Sequence, residues 1–457
     1  MNNAYKNKNI LVLGLAKSGF YAAKLLNELG AKVIVNDKKN LNGDLKVERL
    51  EKMGIKVITG SHPSNLMENN FDFLVKNPGI PYDNAIVKEA LAGNIPVITE
   101  VEIASQVTKA HFIGITGTNG KTTTTTIIQK MLAFDRNEGA AYAVGNIGIP
   151  ASQVALSAEE ADDLVVELSS FQLLGTPSIH PEIAVITNIT EAHLDYHGSK
   201  EAYQEAKLNL IKNQRADDLL IYNADQKDLE SLLKARSNAK MLAFSRKNYL
   251  KDGVSVKEGF IYFKGERLAE VSDIFVKGNH NLENFLAAIA VAKSKKVSNQ
   301  SIRKVMQEFK GVKHRTQFLL EWKERVFYND SKATNIEATE QALSGFNQPV
   351  ILLAGGLDRG DDHTELIPYF KKHVKAVVAF GETAKGLKKV AEKAGVSQVK
   401  IVNEMTEAVK HAYRMSEAGD VILLSPAAAS WDQYENFEVR GDQFINAVNE
   451  LLDQESK

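Results

Sequence analysis

Residues 113–126 read IGITGTNGKTTTTT. The apolar run Phe112-Ile113-Gly114-Ile115 predicts a buried strand. Thr116-Gly117-Thr118-Asn119-Gly120-Lys121-Thr122 predicts a glycine loop, and the residues from Thr123 to Leu132 a helix. Strand, glycine loop and helix in that order make a phosphate-binding loop. Glycines let backbone N–H groups turn onto phosphate oxygens, the helix N-terminus adds partial positive charge, and Lys121 adds a full one. The Thr122 hydroxyl suits a magnesium ion. The pattern departs from G-x-x-x-x-G-K-[ST] at its first position, which is Ile115; Gly117 supplies a glycine from inside the loop instead.

On the N-terminal side, residues 9–60 read as a βαβ unit. Gly14-Leu15-Ala16-Lys17-Ser18-Gly19 follows a short apolar strand, and Asp37 ends the next one. This nearly matches a dinucleotide fingerprint, with Ala16 where a pyrophosphate would want glycine. An NAD site, another nucleotide and a purely structural turn all remain open for it. Asn77-Pro78-Gly79-Ile80-Pro81 ends the strand predicted over 71–75, at a position where open α/β sheets place ligands. Residues 95–100 predict a further strand and 102–108 a linking helix.

On the C-terminal side, 163–168 reads as a buried strand ending in Glu167, which is placed to reach the loop's magnesium or to be an ordinary strand-end carboxylate. Residues 182–187 predict a strand running into the polar segment 188–195, which contains His193. Lys207, in a helix predicted over 200–213, reads as a solvated helix lysine. Residues 254–268 suggest a small hairpin and 279–293 an Ala-rich helix. His314-Arg315 marks a junction, after which a strand over 325–329 begins a third α/β segment. Asp330-Ser331-Lys332-Ala333-Thr334-Asn335, Arg359 and the loop 425–432 sit at strand ends there and suggest a carboxylate-recognising site. Strands alternate with helices throughout, which predicts three doubly wound domains with largely parallel sheets. The expected boundaries are 1–105, 106–311 and 312–457.

Composition narrows the function classes. The chain has 457 residues, 44% hydrophobic and 25% charged, values typical of a soluble globular protein. A net charge of -1 offers no field for nucleic acid or an acidic membrane. The absence of cysteine excludes disulfides, thiolate zinc sites and a cysteine nucleophile. No apolar stretch approaches a membrane span, and the N-terminal residues carry no signal-peptide core, so the cytoplasm is the expected compartment.

Six motifs, taken together and in order, resemble the Mur ligase family, ATP-dependent amide-forming ligases of peptidoglycan precursors. They are the loop 117–122, Glu167-Leu168-Ser169-Ser170-Phe171-Gln172, the segment 188–195, His280-Asn281-Leu282-Glu283-Asn284, His314-Arg315 and the segment 329–335. Ser425-Pro426-Ala427-Ala428-Ala429-Ser430 and Phe437-Glu438-Val439-Arg440-Gly441 resemble the D-glutamate-adding branch, and no Asp-Asn-Pro-Arg motif of the diamino-acid branch is present.

The resemblance implies an N-terminal Rossmann-like UDP-binding domain, a central P-loop ATPase-like domain and a C-terminal Rossmann-like domain that closes over the reactants. It implies Ser18, Gly19, Asp37, Lys38, Gly79, Asn146 and His193 for UDP-N-acetylmuramoyl-L-alanine. Gly117, Thr118, Asn119, Gly120, Lys121, Thr122, Thr123, Asn281, Asn284, Arg315 and Asp330 are implied for ATP. D-glutamate would meet Lys332, Thr334, Arg359, Ser430 and Phe437. Two Mg2+ ions are implied, one on Thr122 and Glu167, the other on His193 and a Lys207 carbamylated by CO2. Lys121, Glu167, His193 and Lys207 would carry catalysis, in a monomer. Trp431, after Ser430, departs from the smaller apolar residue the resemblance implies. A sister ligase (a folylpolyglutamate synthase or another amino-acid-adding Mur enzyme), an ATP-hydrolysing switch and a dehydrogenase are the competing readings.

Overall fold

A computed structural model describes residues 3–276 and 278–455. Among the described residues twenty strands form three sheets. The first contains β1 (Asn9–Leu13), β2 (Lys32–Asp37), β3 (Lys56–Thr59), β4 (Phe73–Lys76) and β5 (Val97–Ile98), in the order β3-β2-β1-β4-β5 and parallel throughout. The chain reverses its winding between β1 and β4, and open sheets of this kind leave a crevice beyond the carboxyl ends of such strands.

The second sheet contains β6 (His111–Thr116), β7 (Ala141–Gly145), β8 (Asp163–Glu167), β9 (Ile183–Ile186), β10 (Leu219–Asn223), β11 (Lys240–Ser245), β12 (Val254–Lys257), β13 (Phe260–Phe263) and β14 (Glu266–Glu270). Its order is β14-β13-β12-β11-β10-β9-β6-β8-β7. β6, β8 and β9 are buried on both faces, as parallel strands covered by helices must be. β6 lies between β8 and β9, with Ile115 opposite Glu167 and Thr116 opposite Ile186. This register delivers the ends of three strands to the start of the helix Lys121–Ala133. That helix packs on the Ala-rich helix Asn279–Ser294.

The third sheet contains β15 (Gln317–Trp322), β16 (Arg325–Asn329), β17 (Val350–Gly355), β18 (Val374–Phe380), β19 (Gln398–Ile401) and β20 (Val421–Leu424), in the order β15-β16-β20-β17-β18-β19. Residues up to Ile274, with Asn279–Gln307, form one compact unit; residues from Glu308 onward form the bulk of a second.

Several local expectations change. The strand predicted over 95–100 shrinks to Val97–Ile98, because Thr99 N–H donates to the Gly175 carbonyl and a helix starts at Glu100. The hairpin predicted over 254–268 is a three-stranded antiparallel meander. β15 and β19 lie outside the strands predicted from the sequence.

In the second unit, Arg440 of the helix Phe437–Glu455 is fully buried. Its Nε donates to Ser331 Oγ at 3.1 Å and Nη2 to the Ser331 carbonyl at 2.9 Å. Nη1 reaches the carbonyls of Gly355 at 3.2 Å and Ala428 at 3.1 Å. One guanidinium thus ties together the chain after β16, at the end of β17 and after β20. Burial lowers its pKa to about 10, so it stays charged at neutral pH. Arg440→Met should leave these acceptors unpaired and destabilise the second unit by about 3 kcal/mol. Both tryptophans, Trp322 and Trp431, lie in that unit. A shift of the urea midpoint followed by tryptophan fluorescence checks it, and an unchanged midpoint would refute it.

Candidate active site

The loop between β6 and its helix is fixed from two sides. Gly117 has φ +152°, and a Cβ there would overlap Thr187 Oγ1; Gly120 has φ +82°, and a Cβ there would overlap Asn284 Oδ1. Side chains at these positions would close the loop, so glycine is required by contact as well as by backbone angle. Asn188 Oδ1 accepts from Asn119 N–H at 2.9 Å, while Thr187 Oγ1 donates to the Asn119 carbonyl at 2.6 Å. Thr118 Oγ1 donates to the Thr190 carbonyl at 3.0 Å. The segment after β9 thereby holds the loop, and buried Thr122 and Thr123 begin the helix. Asn284 accepts from Thr124 Oγ1 at 3.2 Å, and Asn281 lies one turn before it on the same helix.

Two lysines meet at this loop. Lys121 Nζ donates to the Gly117 and Thr118 carbonyls, both at 2.8 Å. Lys207 Nζ donates to the Gly117 carbonyl at 2.7 Å and lies 4.5 Å from the centroid of the Tyr203 ring. Lys207 is 1% exposed, which overturns its reading as a solvated helix lysine. Burial first, and then the neighbouring Lys121 charge, lower its pKa to about 6, against an opposing pull from Glu167. Lys207 is therefore largely a neutral amine at neutral pH.

Glu167 ends β8 and is 2% exposed. Its Oε1 accepts from Asn146 Nδ2 at 3.0 Å. Its Oε2 is buried with no hydrogen-bond partner among the described residues. A buried carboxylate oxygen left over in this way is costly unless a cation neutralises it. Together with the Thr122 hydroxyl it offers the hard oxygen donors that magnesium prefers.

His193 is exposed, with φ +54°, at the start of the short helix Leu194–His197. Its ring lies 5.1 Å from Phe171 and 6.1 Å from Tyr203. Tyr203 thus touches both His193 and Lys207.

In the first sheet, Ser18 and Gly19 begin the helix Lys17–Glu28, and Asp37 ends β2. Asp37 Oδ2 accepts from Leu15 N–H at 2.7 Å and Oδ1 from Lys39 N–H at 2.8 Å, so its carboxylate braces two loops. Lys38 and Gly79 are exposed.

The second unit gathers its own set. Asp330 is buried; Oδ2 accepts from Ser425 Oγ at 2.8 Å and Oδ1 from Thr316 N–H at 2.9 Å. Arg315, its neighbouring cation, is partly buried. Lys332 Nζ lies 5.2 Å from the Phe437 ring centroid. Arg359 is exposed and stands 4.9 Å from the ring of Trp431, and Ser430 is buried. Thr334 is half-buried before the helix Ile336–Leu343.

A cavity of about 370 Å³, lined by Arg136, Asp163 and Lys295, lies at the start of β8, at the far end of that strand from Glu167. Arg136 and Lys295 each pair with Asp163, so its cations are already engaged with a carboxylate, apart from the loop.

Comparison with known proteins decides the family. Residues 115–292 match the Mur ligase middle domain, 314–428 the Mur ligase, glutamate ligase domain, and 8–99 the Mur ligase MurD-like, N-terminal domain. The chain belongs to the Mur ligase family. Members of this family depend on ATP. Over 447 residues, 98% of this chain and 97% of the relative, it is 53% identical to a UDP-N-acetylmuramoylalanine--D-glutamate ligase of Lactiplantibacillus plantarum. Over 452 residues, 99% of this chain and 98% of the relative, it is 53% identical to the protein of that name from Enterococcus faecalis. Among solved structures, MurC of Thermotoga maritima, a UDP-N-acetylmuramate-alanine ligase, shares the fold at TM-score 0.59 and 19% identity, covering 98% of this chain and 100% of that one. MurF ligase of the same organism, solved in complex with ADP, does so at 0.57 and 17%, covering 99% and 97%. As a Mur ligase the chain has three α/β domains, each built on one of the sheets above.

Burial raises the Asp330 pKa to about 6 despite the hydrogen bonds it accepts. The unfolded value is about 4, so between about pH 4 and 6 the folded state holds more protons than the unfolded state. Stability of the second unit should therefore fall as pH rises through that window, by up to about 3 kcal/mol. Asp330→Asn should remove that slope from the urea midpoint read by tryptophan fluorescence. An identical slope in the variant would contradict the assignment.

Proposed function

We propose that this chain joins D-glutamate to the L-alanyl carboxylate of UDP-N-acetylmuramoyl-L-alanine, with ATP converted to ADP and phosphate, in peptidoglycan precursor synthesis. The observation that carries this reading is the full-length likeness to ligases of that name, at 53% identity over 98% of the chain. The geometry supports it: a phosphate loop with two lysines and a buried carboxylate in one unit, and a cluster of cations at strand ends in the other.

The substrate carboxylate attacks the γ-phosphorus of ATP, forming an acyl phosphate and releasing ADP. The neutral amine of D-glutamate then attacks the acyl carbon, and the tetrahedral intermediate expels phosphate. The loop N–H groups and Lys121 hold the phosphates and offset charge on the transferring group. Lys121 leaves its bonds to the Gly117 and Thr118 carbonyls for a stronger acceptor. Asn281, Asn284, Arg315 and Asp330 orient ATP. Ser18, Gly19, Asp37, Lys38 and Gly79 take the UDP end of the other substrate, with Asn146 and His193 toward its reacting end. Lys332, Thr334, Arg359, Ser430 and Phe437 receive D-glutamate.

Thr122 and Glu167 would hold one magnesium ion; His193 and Lys207 would hold a second once Lys207 carries a carbamate. Bound magnesium supplies charge neutralisation on phosphate oxygens. The neutral Lys207 amine is the form that adds CO2, and the product offers anionic oxygen in place of a cation.

An amino-acid panel with ATP and UDP-N-acetylmuramoyl-L-alanine tests the reading. Phosphate release should require the UDP substrate and D-glutamate together; release with L-glutamate, L-alanine or L-lysine but not D-glutamate would overturn it. Lys121→Ala should lower kcat about a thousandfold. With 13C-bicarbonate, a carbamate carbon signal should appear in the wild type and be absent from Lys207→Met. Its absence from the wild type would remove the carbamate.

A further inference from the structure

Lys76 ends β4, and its side chain is 1% exposed. Its Nζ donates to the Ile80 carbonyl at 2.8 Å and the Pro78 carbonyl at 3.3 Å. The same atom stands 4.7 Å from the Tyr82 ring centroid and 3.4 Å from Tyr196 Oη. Pro78, Ile80 and Tyr82 belong to the turn that follows its own strand. Tyr196, 120 residues away in sequence, belongs to the helix that begins beside His193. Tyr196 Oη also contacts the Ile80 carbonyl at 3.4 Å. Its ring packs edge-on against Phe171, with centroids 4.5 Å apart and planes at 88°, and Phe171 packs on His193.

A buried ammonium is costly unless acceptors stay around it, so the turn and Tyr196 are held where the lysine needs them. An apolar residue would fill the same space but leave the Pro78 carbonyl without this donor and the Ile80 carbonyl with only the Tyr196 hydroxyl at 3.4 Å. We propose that Lys76 is a positioning residue that pins the 77–81 turn to the His193 segment through Tyr196, so that the grip on the nucleotide-sugar substrate and the order of that segment depend on each other. This inference rests on the reading that the turn takes the nucleotide sugar.

Hydrogen exchange on the full chain, without ligands, tests the link. Tyr196→Phe removes only a hydroxyl and Lys76→Met removes the ammonium. In both, amides of 79–84 and of 194–203 should exchange faster together, and Lys76→Arg should restore protection. The dissociation constant for UDP-N-acetylmuramoyl-L-alanine, by calorimetry, should rise about tenfold in Lys76→Met, the loss of about one good hydrogen bond. The KM for D-glutamate should stay unchanged. Faster exchange confined to 79–84 in Tyr196→Phe, or an unchanged dissociation constant in Lys76→Met, would overturn the proposal. If Lys76→Met does not fold, the Tyr196→Phe exchange decides alone. If the wild type itself does not bind the UDP substrate, the substrate reading falls, and the exchange of 194–203 still decides the link.

Discussion

The carbonyl oxygen of Gly117 accepts hydrogen bonds from two lysines, Lys121 at 2.8 Å and Lys207 at 2.7 Å. Two ammonium groups on one acceptor repel each other, and burial of Lys207 strengthens that repulsion. Burial first, and this repulsion second, lowers the Lys207 pKa to about 6, so that its amine is largely neutral at neutral pH. Everything around the loop serves this arrangement. Thr187 and Asn188, beyond the end of β9, fix the loop backbone; Glu167, at the end of neighbouring β8, adds negative charge nearby; Tyr203 covers the Lys207 ammonium position. The parallel order β9-β6-β8 brings these groups to one edge of the sheet.

Much of this was legible in the chain. The glycine loop announced itself because its neighbours are contiguous in sequence and its glycines have no alternative. Glu167 was readable because a buried strand ends in an acid. Lys207 was not, because its burial comes from tertiary contact with the loop, 90 residues away in sequence. One signal was available: Tyr203 and Lys207 are four residues apart in the helix Lys200–Leu208 and share its buried face, which also carries Ala206. Lys76 hid for a similar reason, as a lysine closing the apolar run Phe73-Leu74-Val75. Its partners Tyr82 and Tyr196 are set by tertiary structure. β15 escaped because its hairpin turns on Lys323-Glu324, both with positive φ, where Asn-Gly would have given the turn away.

The second unit is organised by charge of another kind. Among the described residues Arg440 donates to neutral acceptors only and joins three strand ends, whereas Arg359 lies exposed against Trp431. One arginine is structural and buried, and the other keeps its guanidinium at the surface. Trp431 departs from the residue expected there, and its place beside Arg359 gives the departure a physical role: the ring steadies a guanidinium that has no carboxylate partner among the described residues.

In the proposed reaction the loop delivers the γ-phosphoryl group to a carboxylate rather than to water. Carboxylate oxygens of UDP-N-acetylmuramoyl-L-alanine labelled with 18O trace that step directly. If the acyl phosphate forms, cleavage by the D-glutamate amine carries one labelled oxygen into the released phosphate, and mass spectrometry reads one 18O per phosphate. Phosphate released free of label during amide formation would contradict the account.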